Sequence, residues 1–180
     1  LVEWALELQL PTRASVIDLC TGSACIVAAL ASERPEWQFA ATEISPQAFQ
    51  LAKSNLSELG YIDRVQLSQG DLFTHLEGPY DLVVANPPYI DPSEAETLDP
   101  EVSKYEPKIA LFAEEQGLRV IRRIAAESPA KSSAGAWLLM EHSHRQGAAV
   151  RDLLERSGYQ EVSTRKDLGH RERVTGGRRP

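Results

Sequence analysis

Short apolar runs alternate with stretches of helical spacing along nearly the whole chain. Residues 15–19, 38–43, 64–69, 80–85, 136–141 and 159–164 read as strands, because each is apolar or β-branched and bounded by turn formers. Helices are expected over 2–9, 23–33, 46–59, 114–127 and 146–157. Pro35 stops the second of these, Ser45 and Pro46 supply an N-cap and a first-turn proline for the third, and Gly60 and Gly158 are natural residues just past a helix end. The third carries Phe49, Ala52, Leu56 and Leu59 on one side, and the fourth Leu118, Ile121 and Ala125. A last strand over 171–175 is expected to return antiparallel, as an edge or hairpin partner. Strands alternating with helices of this length predict an α/β fold: a doubly wound, mostly parallel seven-stranded sheet with an antiparallel edge strand, Rossmann-like in its winding. Residues 90–112 break the pattern with acids and prolines of no clear period, and a loop or lid is expected there.

Composition narrows the function classes. With 180 residues, 42% hydrophobic and 25% charged, the chain reads as one globular domain with a sizeable core. Its net charge of −7 argues against a general nucleic-acid binder. The longest apolar run, residues 24–31, falls far short of the roughly 20 needed to span a bilayer. Glu3 and Glu7 stand where a signal peptide would be basic. Two cysteines, Cys20 and Cys25, make no disulfide framework and fit the reducing cytoplasm.

Four marked segments fall at the carboxyl ends of the first four strands, where such folds bind ligands. After the first comes Asp18-Leu19-Cys20-Thr21-Gly22-Ser23-Ala24, whose small residues let the backbone approach a ligand; only Gly22 remains of a dinucleotide glycine fingerprint. Glu43 ends the second, about 25 residues beyond Asp18, near the spacing at which an acid accepts ribose hydroxyls. It also fits as an acid entering the next helix. Asp71 follows the third strand; it is placed to accept from an adenine amino group with Leu72 or Phe73 on the ring, or to be a solvated turn acid.

Asn86-Pro87-Pro88-Tyr89 closes the fourth strand. The asparagine brings a carbonyl acceptor and an amide donor. The prolines remove two N–H groups and stiffen the chain, leaving carbonyls free, and the tyrosine adds a flat face and a hydroxyl. The set suits a planar –NH2 group, an amide or a nucleobase amine, held through its two hydrogens. As a turn alone the segment is ordinary.

Together these segments resemble the class I S-adenosylmethionine-dependent methyltransferases, and within them the HemK/PrmC family, the glutamine N5-methyltransferases of peptide chain release factors. Further matches are Tyr105-Glu106-Pro107, Leu138-Leu139-Met140-Glu141-His142 and the terminal Arg171-Glu172-Arg173-Val174-Thr175, in colinear order. The resemblance implies S-adenosyl-L-methionine as cofactor, with Asp18, Cys20, Thr21, Gly22, Ser23, Glu43, Ile44, Asp71, Leu72 and Asn86 binding it. Residues 18–24 would take the methionine part, Glu43 the ribose and Asp71 the adenine. Asn86, Pro87, Pro88 and Tyr89 would be catalytic and hold the substrate glutamine, with Glu106 and Pro107 shaping its pocket. A release factor is the implied protein partner, and residues 1–13 the end of a missing N-terminal helical region. Cys20 and Ala24 depart from the family's glycines, and Cys20 is expected to need a turn whose φ tolerates a β-carbon.

Accepting both amide hydrogens, through the Asn86 side-chain oxygen and the Pro87 carbonyl, would orient a nitrogen whose lone pair is otherwise delocalised. Alignment and fixed dipoles would carry the rate. His142 and His144 lack further ligands nearby, so no metal is expected. Rival readings are a glutamine methyltransferase acting on a ribosomal protein, a DNA or RNA adenine N6-methyltransferase, and a silent cofactor-binding or nicotinamide-binding module.

Overall fold

Ser15–Leu19 (β1) and Tyr80–Ala85 (β4) are apolar on both sides of the pleat, and both become central strands buried on two faces. In the computed structural model, which describes residues 1–91 and 113–180, they lie side by side in a seven-stranded sheet. The remaining strands are Gln38–Glu43 (β2), Val65–Gln69 (β3), Ser132–Glu141 (β5), Gln160–Lys166 (β6) and Glu172–Arg178 (β7). Their order is β3-β2-β1-β4-β5-β7-β6. The first five are parallel, and β7 runs antiparallel to both β5 and β6. The antiparallel strand therefore belongs to the hairpin at one margin of the sheet, one place in, with β6 outermost.

The helices are Val2–Glu7 (α1), Cys25–Glu33 (α2), Pro46–Glu58 (α3), Arg119–Glu127 (α4) and Gly147–Arg156 (α5). Alternation along the strands sorts the core into two layers. Val16, Leu82, Val84 and Leu139 face Trp4, Val27, Leu30 and Leu56 from α1, α2 and α3. Ile17, Val83, Leu138 and Met140 face Ile121, Ile124, Val150 and Leu154 from α4 and α5. Ser45 caps α3, its hydroxyl accepting from the Ala48 N–H at 3.3 Å, with Pro46 in the first turn. Leu59, expected on the inner side of that helix, is 58% exposed at its C-terminal end.

Several boundaries differ from the expectation, and the largest has a clear cause. The helix expected from 114 starts at Arg119, because Glu115, Gln116 and Gly117 all take positive φ (59°, 58° and 78°) and form a turn. A β-carbon on Gly117 would collide with the Tyr89 carbonyl, so only glycine lets the two backbones meet there. β5 begins at Ser132 instead of 136, where Ser132 pairs with Tyr80 of β4, and β7 extends to Arg178, which pairs with Trp137 of β5 and Gln160 of β6. Of the expected 90–112 lid, residues 92–112 lie outside the described residues, Glu106 and Pro107 among them.

Gly176 in β7 lets the Trp4 indole lie on the sheet, 6.4 Å from Trp137 between ring centroids. An added Cβ there would meet the Leu139 side chain and, at 2.9 Å, the far edge of Trp4. Gly176→Val is accordingly expected to lower the unfolding free energy by about 1–3 kcal/mol, the usual cost of overpacking, measured by urea denaturation.

Candidate functional site

The strand order reverses between β1 and β4, and register decides what meets there. Leu19 pairs with Thr42 on one side and with Ala85 on the other, while Glu43 pairs with Gln69. The residues that follow these pairs are Cys20, Asn86 and Gly70, so the four marked segments share one edge of the sheet. Asn86 is exposed at that edge, Pro87 is buried, and Pro88 and Tyr89 are half-buried.

The turn after β1 is built from left-handed residues. Cys20, Gly22 and Ala24 have φ of 56°, 57° and 66°. The expectation that Cys20 would avoid this region is overturned: its β-carbon is accommodated in a left-handed turn, at a typical cost of about 1–2 kcal/mol. Glu43 holds the turn from below. Its carboxylate accepts from the Gly22 N–H at 2.9 Å and from the Ser45 N–H at 2.9 Å, and its side chain is buried. Asn55, on α3, donates to the Ser23 carbonyl at 2.9 Å. Thr21 donates from its backbone to Thr42 at 3.0 Å and from its hydroxyl to Asp18 Oδ2 at 2.6 Å.

Asp18 is fully buried, and its Oδ1 has no hydrogen-bond partner among the described residues. Burial pushes this carboxyl up to about 7; the Thr21 hydroxyl pulls the other way and the Glu43 charge adds to the rise. Burial also raises the Cys20 thiol, helped by Glu43 and Asp18, which keeps it protonated and unreactive. Above the turn, the position a β-carbon on Gly22 would take is open. Beside it Ile44 is 46% exposed at the end of β2. An acceptor lacking a donor, an open glycine and an uncovered isoleucine together suit a ligand with polar and flat apolar parts.

Asp71, after β3, is paired with Arg123 of α4, whose Nη1 lies 3.1 and 2.9 Å from its two oxygens. Both side chains are more than 40% exposed, so the pair is weak enough to exchange for a ligand's donor. Leu72 and Phe73 turn their side chains into the core.

The corner after β4 is supported from a second direction. Gln146, at the N-cap of α5, donates from Nε2 to the carbonyls of Tyr89 and Gln116, each at 2.9 Å. Its Oε1 accepts from the Ser143 N–H at 2.9 Å. At the other end of Tyr89, Glu141 and Arg173 reach the hydroxyl; burial and the Glu141 charge raise its phenol, against Arg173. A cavity of about 290 Å³ opens beside Tyr89, between Gln116, Leu118 and Arg145. A larger one of about 390 Å³ lies at the opposite edge of the sheet, by the amino ends of β1 and β2, between Leu10 and Trp37.

Sequence reasoning missed Gln146, Gly117, Arg123, Asn55 and Arg173 as parts of this site. Arg173 alone carried a signal, as a member of the terminal motif. His142 is an internal strut: Nε2 meets the Thr175 hydroxyl at 2.7 Å and Nδ1 the Ser143 carbonyl at 2.8 Å. Among the described residues no three His, Cys, Asp or Glu side chains converge as metal ligands, and no helix is long and apolar enough to cross a membrane.

Residues 5–99 match the family described as Methyltransferase small domain. The release factor glutamine methyltransferase of Vibrio cholerae is 40% identical over 181 residues, covering 97% of this chain and 61% of that protein. That of Xylella fastidiosa (strain Temecula1) is 41% identical, covering 100% and 66%. The chain thus spans somewhat under two thirds of the length of these relatives. Among solved structures, the catalytic domain of hMettl16 in complex with MAT2A 3'UTR hairpin 6 superposes with a TM-score of 0.76 at 21% identity, covering 98% of this chain and 68% of that one. That likeness extends to the fold.

Asp18 gives the ligand-free protein a pH signature. Between its unfolded pKa near 3.8 and its folded value of about 7, the folded state keeps a proton the unfolded chain releases. Its contribution to stability is therefore complete below about pH 4 and is lost as pH rises to about 7, by up to about 4 kcal/mol. Denaturant unfolding of wild type and Asp18→Asn at pH 5 and pH 8 checks this: the loss between the two pH values should be smaller in the variant.

Proposed function

The chain belongs to the methyltransferase small domain family, and from that premise we propose that it transfers a methyl group from S-adenosyl-L-methionine to the side-chain amide nitrogen of a glutamine in a peptide chain release factor. One observation carries the reading: an exposed asparagine corner stands at the end of β4 directly alongside the left-handed turn after β1. The names of the relatives supply the substrate.

The residues fit the donor. The turn 18–24, with its buried Asp18 acceptor, takes the methionine part; Glu43 and Ile44 take the ribose side; Asp71 takes the adenine amino group in place of Arg123. Glu43 meets the ribose with lone pairs beyond the two used by Gly22 and Ser45. Bound there, the donor supplies an electrophilic methyl on a sulfonium.

The chain's own part is to place the acceptor. The Asn86 oxygen and the Pro87 carbonyl accept the two amide hydrogens of the glutamine, which orients its nitrogen toward the cofactor turn and favours the positive charge that develops there. Once methylated, the nitrogen would be acidic enough to give its extra proton to water, so no strong base is required. Tyr89 closes the site with its ring. Dipoles fixed before the reaction do not have to reorganise during it, which is the main source of rate in such a site. The work takes place in the cytoplasm, where release factors act.

Labelled cofactor incubated with a release factor, a ribosomal protein and duplex DNA, followed by mapping of the label, tests the assignment. Label on a glutamine amide of the release factor is the expected result; label on DNA, or on the ribosomal protein alone, overturns it. Asn86→Ala should keep S-adenosylmethionine binding by calorimetry yet lose about 100-fold or more in turnover, the scale of removing one fixed polar partner of the reacting group. Near-normal turnover in that variant refutes the role given to Asn86.

A further inference from the structure

We propose that Gln146 is a positioning residue for the methyl-accepting corner, setting the direction of the Pro88–Tyr89 segment without touching substrate or cofactor. The inference rests on the proposed function and deepens it. Two prolines deprive the corner of the N–H groups that would tie it to neighbouring backbone. Its geometry must then be fixed through carbonyls and side chains. Gln146 does this with a single amide: one hydrogen goes to the Tyr89 carbonyl, the other to the Gln116 carbonyl, and the amide oxygen takes the Ser143 N–H. The three partners come from three separate segments: the corner, the turn before α4 and the β5–α5 connection.

Three features make this more than a surface contact. Gln146 is 9% exposed, so its bonds are shielded from competing water. Its amide orientation is determined, because reversal would set Oε1 against two carbonyl oxygens and the Nε2 hydrogens against an N–H. Beside this bond, Gly117 brings backbone so close to both the Tyr89 carbonyl and the Gln146 amide that no β-carbon fits. The carbonyl and its donor are thus packed against a wall that leaves them little room to shift. The Tyr89 ring is half-buried, and the charges of Glu141 and Arg173 bear on its hydroxyl. Asn86 and Pro87 immediately precede the Pro88–Tyr89 segment, and a shift of about 1 Å in them misaligns the amide enough to cost roughly 100-fold in rate.

The experiment measures wild type, Gln146→Leu and Gln146→Glu, with Gln146→Asn as replacement should the leucine form fail to fold. Three quantities are read: the thermal midpoint, the Kd for S-adenosylmethionine by calorimetry, and kcat and KM for methyl transfer to a release factor. The expected result is a fall in kcat of about 30- to 100-fold, with cofactor Kd within about threefold and the midpoint above the assay temperature. The glutamate form should regain part of its kcat, relative to wild type, as pH falls, because a protonated carboxyl restores one donor. An active wild type beside a folded variant of unchanged kcat overturns the positioning role alone. So does a loss that merely follows the fraction of unfolded protein. A wild-type chain that methylates no release factor overturns the functional reading, and this proposal with it.

Discussion

The buried carboxylate of Glu43 is the tie on which the site depends. A buried acid is tolerated when backbone N–H groups satisfy its oxygens, and Glu43 has two, from Gly22 and Ser45. These lie on opposite sides of the strand end, one in the turn after β1 and one at the start of α3. The same carboxyl therefore ties the turn after β1 to the end of β2 and the start of α3. Three consecutive alternations into left-handed backbone, at Cys20, Gly22 and Ala24, would be costly in a free loop. They persist because the surroundings over-determine them.

The site divides into a half held by backbone donors and a half held by carbonyl acceptors. In the turn, N–H groups point inward to Glu43, and the acid is the organiser. In the corner, prolines leave carbonyls outward, and an amide is the organiser. The β1–β4 pairing sets these halves side by side at Leu19 and Ala85. Neither half needs a metal or a reactive nucleophile, and the raised Cys20 thiol agrees with a site that works by placement.

Much of the scaffold was legible because its signals are local. The apolar runs of β1, β2 and β4, the Ser45-Pro46 helix start and Gly158 after α5 follow from propensity and turn chemistry alone. The four strand-end segments could likewise be placed on one edge, since the winding rule puts all parallel strand ends together. What could not be read depends on approach between distant segments. Gln146 resembles any helix-start polar residue until the Tyr89 carbonyl, 57 residues earlier, arrives beside it. The start of α4 was misplaced for the same reason, since the turn at 115–117 answers a neighbour from β4 and not its own composition. His142 was set aside as a metal ligand, but its structural partner, Thr175, lies 33 residues away and left no local signal.

The placement of β7 has a consequence for the order in which the molecule can be finished. β7 follows β6 in sequence yet is an interior member of the sheet, bridging β5 and β6. It also carries Thr175, the partner of His142. The β6–β7 pairing joins neighbours in sequence and forms with little loop to close, whereas attachment to β5 joins residues 137–141 to 174–178, far apart along the chain. The hairpin is thus the piece that docks as a unit, and the contacts of residues 173–175 come with that docking.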